Sequence, residues 1–95
     1  MIEVSQTDSG DPMRFEVVVR KGSGQSRHQV TAAAGDIARL AAPGVTPEAV
    51  IEASFRFLLD REPKESILGR FDLSVISRYF PEYEAKLPGY LGRNS

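Results

Sequence analysis

The sequence predicts a small α+β domain, with an N-terminal β-hairpin packed on a central helix and additional short helices toward the C-terminus. Three observations carry that expectation. Met13 to Arg20 alternates apolar and polar residues, and a glycine-rich break separates it from a second strand-like run. Thr46 to Arg61 has the length and capping of a helix but almost no solvent face. A third segment, Phe71 to Tyr83, is dense in aromatic residues that can cover that helix.

Met1 to Pro12 is rich in Ser, Thr, Asp, Gly and Pro and reads as a flexible N-terminal arm. From Met13 the alternation puts Phe15, Val17 and Val19 on one face and Arg14, Glu16, Val18 and Arg20 on the other. Lys21 to Ser26 is turn chemistry, and Arg27 to Ala32 returns as the second strand. Centring the turn on Ser23-Gly24 opposes Val19 to His28, Val17 to Val30 and Phe15 to Ala32, which gathers all six on one face. The same register sets Arg20 directly across from Arg27, a mildly repulsive pair that either splays at the turn or awaits an anion.

A short helix is expected within Ala32–Ala42, with Asp36 near its start and Pro43-Gly44 as its stop. The central helix follows. Thr46 is a good N-cap, Pro47 suits the first turn, and Glu48 complements the positive end of the dipole. Glu48, Glu52, Arg56 and Asp60 recur every four residues as one narrow charged stripe, while Val50, Ile51, Ala53, Phe55, Phe57, Leu58 and Leu59 fill nearly all of the remainder. Such a helix must be covered on several sides, by the chain itself or by a second copy in a homodimer. Glu62-Pro63 ends it. Lys64 to Arg70 reads as a connector with Ile67 and Leu68 available to pack. Asp72 is placed to cap a helix from Leu73 to Phe80, and Pro81 opens a last turn from Glu82 to Leu87. The expected limits are an arm at 1–12, one domain at 13–88 and a flexible tail at 89–95.

Ninety-five residues suit one domain with a thin core. The chain has no cysteine, which excludes disulfides, thiolate ligands and thiol catalysis together. No apolar run approaches the length of a bilayer span and Met1 opens no signal segment, so the reading is a cytoplasmic protein without membrane partners. A net charge of −1 argues against indiscriminate nucleic-acid binding. Even so, Arg14, Arg20, Lys21 and Arg27 cluster against Glu16 alone in the hairpin.

No motif points to catalysis, a cofactor or a metal. Gly22-Ser-Gly24 lacks the Gly-Lys-Ser/Thr ending of a phosphate loop and joins two strands, so it is a turn; Arg20, Lys21 and Arg27 remain as candidate anion contacts. His28 is the sole histidine and falls on the inner face, without a partner fit for a general base. Asp60, Glu62 and Glu65 are interleaved with Arg61 and Lys64, the pattern of a solvated helix end. Phe71, Tyr79, Phe80 and Tyr83 divide between two roles, core and an interaction patch for an unidentified protein partner.

Two resemblances add to this reading. The run Phe57-Leu-Leu-Asp-Arg-Glu-Pro-Lys-Glu-Ser-Ile-Leu68, followed by Phe71-Asp-Leu-Ser-Val-Ile-Ser-Arg-Tyr-Phe-Pro-Glu-Tyr83, is similar to a family of small bacterial proteins of unknown function and implies no activity. Arg27-His-Gln-Val-Thr31, a short helix, the turn at Gly44 and the helix from Pro47 resemble the order of ribbon-helix-helix repressors and antitoxins. That resemblance implies a twofold ribbon, with Arg27, Gln29 and Thr31 entering the major groove and the helix start at Thr46-Pro47 on phosphate. The expected role is a small non-enzymatic interaction or regulatory module, with a ribbon-helix-helix-like DNA-binding regulator as the alternative.

Overall fold

The computed structural model describes residues 1–91. It is an α+β arrangement in which one four-stranded sheet precedes and then receives the helices. The strands are β1 (Ile2–Asp8), β2 (Met13–Lys21), β3 (Gly24–Ala32) and β4 (Arg70–Asp72), in the spatial order β1-β2-β3-β4. The first three pair antiparallel, whereas β4 lies parallel to β3. A parallel neighbour requires a crossover. Helices α1 (Ala34–Leu40) and α2 (Pro47–Leu59) supply it, and α3 (Val75–Tyr79) and α4 (Tyr83–Lys86) follow the sheet.

The N-terminal segment, expected as a loose arm, is the strand β1. Ile2 and Val4 stand opposite Val19 and Val17 and pack against the core, and the Met1 ammonium donates to the Arg20 carbonyl at 2.7 Å. Its loop also reaches across the fold, where Asp11 Oδ1 accepts from the Ala34 amide at 3.0 Å at the start of α1. The hairpin is present with its expected faces but paired two residues out. Phe15 opposes Val30, Val17 opposes His28 and Val19 opposes Ser26. The cause is the turn. Gly22 and Ser23 form its two-residue tip, and Gly22 takes φ +64°, which fits the glycine-first pattern of a type II′ hairpin turn. An even shift keeps every side chain on its face, so Phe15, Val17, Val19, His28, Val30 and Ala32 are all buried. Arg20 and Arg27 are not opposed: Arg20 faces Gln25 and Arg27 faces Val18.

Helix α2 begins as its sequence dictates, with Thr46 Oγ1 accepting from the Ala49 amide at 3.1 Å. Its two fully buried phenylalanines explain how the chain covers it. Residues two apart on a helix point about 200° apart, so Phe55 and Phe57 address opposite sides. Phe55 meets the sheet through His28 and Phe71, at ring separations of 5.2 and 6.0 Å. Phe57 meets Phe80, Tyr83 and Tyr90 from the C-terminal elements, all edge-on within 5.9 Å. The helix is thus covered within one chain.

Two further expectations change. The supposed connector before Phe71 contains a 3₁₀ turn (Lys64–Ser66) and then β4, where the Gly69 carbonyl accepts from the Gln29 amide at 2.8 Å. Three residues show no alternation, so tertiary pairing alone makes this strand. At the other end, Leu87–Gly89 forms a second 3₁₀ turn and Leu91 is buried in the core, so the domain runs past 88. The rest of the expected tail, 92–95, lies outside the described residues.

Candidate functional site

The inner face of the sheet is closed by α2, but not completely. At the β4 end, a groove of about 400 Å³ opens between the last turn of α2, the 3₁₀ turn, β4 and α3. Its walls come from Leu58 and Glu62 on one side, from Ile67, Leu68 and Phe71 along the floor and rim, and from Val75, Ile76, Tyr79 and Phe80 on the other. Most of this lining is apolar, and two of its members face solvent, Leu68 at 49% and Tyr79 at 69% of their full exposure. A concave, mostly apolar cleft of this size falls within the range of ligand and partner sites.

The rim is held from beneath by the sole histidine. His28 is 2% exposed, and its Nδ1–H donates to the Leu68 carbonyl at 2.7 Å. A carbonyl can only accept, so Nδ1 carries the hydrogen of that bond, and Nε2 is hydrogen-bonded to the Ser26 hydroxyl at 2.8 Å. His28 therefore acts as a strut between the hairpin and the groove. Asp72 anchors the other end of β4, with Thr31 Oγ1 donating to Oδ1 at 2.6 Å and the Ser74 hydroxyl and amide donating to Oδ2. Burial pushes the Asp72 carboxyl up, but these three hydrogen bonds prevail and hold it below the usual carboxylate range.

Glu62 gives the groove its one acidic wall. Its neighbours are engaged: Arg61 lies 3.7 Å over the Phe57 ring and donates to Glu82 at 3.0 Å, and Lys64 donates to Glu65 at 2.6 Å. Glu62 has no ion-pair partner among the described residues. Partial burial raises its carboxyl above the usual range.

Of the aromatic residues marked in the sequence as an interaction patch, Phe71, Tyr79 and Phe80 line this groove. Tyr83 does not: it is 1% exposed, and its hydroxyl bonds Ser54 Oγ at 2.6 Å inside the core. Glu62 and Leu68 were not marked. The signal for Leu68 was available in the pair Ile67-Leu68, of which only the first is needed by the core.

The basic residues of the hairpin lie elsewhere, on the outer face of the sheet. Arg20, Arg27, Gln29 and Thr31 share that face, while Lys21 sits at the turn with the opposite parity. Each has a local task. Arg20 bonds Glu3 and Gln25, Arg27 meets Glu16 at 3.2 Å, Thr31 holds Asp72, and Lys21 adds to the field that lowers the Glu65 carboxyl, behind the nearer Lys64. Lys21 and Gln29 are exposed without a side-chain bond among the described residues. β3, which carries Arg27, Gln29 and Thr31, is flanked by β2 on one side and β4 on the other, so the edge that a twofold ribbon would use is occupied. Among the described residues no group of three or more His, Cys, Asp or Glu side chains is placed to hold a metal, and no helix is long and apolar enough to cross a membrane. No family model, curated protein or solved structure matches the chain.

Proposed function

We propose that the protein is a non-enzymatic interaction module that presents the groove beside β4 to another protein. The observation that supports this most is the exposure of Leu68 and Tyr79 on the rim of a mostly apolar cleft. Exposed apolar side chains cost little singly, but clustered around a concavity they favour association. The only imidazole is sealed in the core with both nitrogens engaged, which leaves the groove without a general base of that kind. Homodimer formation through α2 loses its driving force once that helix is covered within the chain, so any partner, like or unlike, is directed to the groove.

A photocrosslinking residue at exposed Ser66, introduced in the cells that make the protein, tests this reading. The expected result is a discrete protein adduct that disappears when Leu68→Glu is added, with the circular dichroism melt unchanged. An adduct indifferent to Leu68→Glu, or none, would place the function away from the groove.

A further inference from the structure

The groove lies beside an open strand edge. β4 is the terminal strand of the sheet, and the bonds from the Gln29 amide to the Gly69 carbonyl and from the Leu73 amide to the Thr31 carbonyl show which way its backbone faces. Gly69, Phe71 and Leu73 turn their peptide groups toward β3. By the alternation of a strand, Arg70 and Asp72 turn theirs outward. Phe71, opposite Val30, directs its ring to the inner face and into the groove. Residues directly opposite one another on neighbouring strands share a face. A residue set against Phe71 from outside would therefore aim its side chain into the same cleft.

We propose that the groove receives an extended peptide segment of a partner protein, added along the free edge of β4, with an apolar side chain beside Phe71 and a lysine or arginine meeting Glu62. This rests on the groove being the interaction surface and names what occupies it. The chemistry selects among occupants. Outward N–H and C=O groups at Arg70 and Asp72 are satisfied by another backbone and not by a hydrocarbon chain. Glu62, lacking an ion-pair partner among the described residues, repels a fatty-acid carboxylate and attracts a cationic side chain. The partial burial that disfavours its charge in the free protein is offset when a cation arrives. A short β4 also fits this role, because pairing along it adds few main-chain bonds and leaves specificity to the groove.

Random peptides displayed on phage and selected against the immobilised full chain provide the probe, and synthetic copies of the selected peptides are titrated by fluorescence anisotropy. The expected peptides alternate apolar residues and carry a lysine or arginine. Their affinity falls about tenfold or more on Leu68→Glu, and by a similar factor when the peptide's edge-facing amides are N-methylated. Glu62→Gln weakens the basic peptides and leaves norleucine-substituted copies unaffected. Peptides that depend on Leu68 but ignore N-methylation, or that carry acidic residues instead, would overturn strand addition while leaving the groove as the interaction surface. Failure to select any peptide sensitive to Leu68→Glu would overturn both. So would saturable binding of decanoate that Leu68→Glu abolishes, since it would assign the groove to a lipid chain. A dimer in light scattering that Leu68→Glu dissolves would replace the peptide by a second copy of this chain.

Discussion

Ser54 and Tyr83 form a polar contact buried on the far side of α2, and its two halves are not equivalent. Ser54 Oγ–H donates to the Val50 carbonyl at 2.8 Å, which leaves the Tyr83 hydroxyl to donate to Ser54 Oγ. Removing the phenol oxygen with Tyr83→Phe leaves Ser54 satisfied, so a loss of about 1 kcal/mol is expected. Ser54→Ala strands a buried hydroxyl and should cost more, toward about 2–3 kcal/mol. Chemical denaturation of both single variants and the double variant checks the order, and a larger loss for Tyr83→Phe would refute it. Burial also pushes the Tyr83 hydroxyl up to about 12, against an ordinary value of about 10. An acid whose folded pKa is raised adds stability that is complete below the unfolded value and is lost as pH rises through the folded one. Melting temperatures should therefore fall as pH rises from 10 toward 12, and less steeply in Tyr83→Phe. In an absorbance titration, one of the three tyrosines should ionise only as the protein unfolds.

At the scale of elements, β1 is the sharpest test of the fold, because the sequence alone assigns Met1–Pro12 to a dispensable arm. Ile2 and Val4 pack on the core beside Val19 and Val17, so deleting Met1–Asp8 should cost at least ~2 kcal/mol and expose the edge of β2. An unchanged denaturation midpoint would return the segment to the status of an arm. Phe55→Ala and Phe57→Ala should each cost ~3–5 kcal/mol, since both rings are fully buried on opposite sides of α2. These elements also show what sequence can disclose. Helix α2 was legible because its caps and its four-residue charge stripe are local signals, and the faces of β2 and β3 because alternation survives an even error in register. β1 was hidden: its inward positions run Ile2, Val4 and then polar Gln6, a fading pattern that only pairing with β2 stabilises. β4 was hidden because a three-residue strand has no period, and with it went the groove, whose parts are gathered from α2, β4 and α3. The aromatic residues of the groove could be marked from composition. Their division could not, because Tyr79 and Tyr83 differ only in which side of a short helical turn the rest of the chain covers.

At the scale of the whole molecule, the sheet presents two faces with opposite character. The inner face is closed by α2 except at the groove. The outer face is a lattice of charge, where Arg14 meets Asp8 at 4.0 Å, Arg27 meets Glu16, and Arg20 meets Glu3. Val18 is only 8% exposed there although it lies outside the core cluster; its cross-strand neighbours are Glu3 and Arg27. Surface pairs of this kind add little stability individually. Their larger effect is on the field, since a positive cluster in the sequence becomes a nearly neutral face once β1 and β2 supply their carboxylates. Association with duplex DNA draws on phosphate contacts made by unneutralised cations and releases counterions in proportion to them. The wild-type chain, at a net charge of −1, should therefore show no saturable binding to duplex DNA in a low-salt anisotropy titration. Glu3→Gln combined with Glu16→Gln takes the net charge from −1 to +1 and frees Arg20 and Arg27; it should produce weak binding that disappears as salt is added. If the wild type instead binds DNA in a salt-dependent way and loses that binding on Arg20→Ala and Arg27→Ala, the outer face is the working surface. The carboxylates would then act as gates that phosphate displaces, and the groove would serve only the fold.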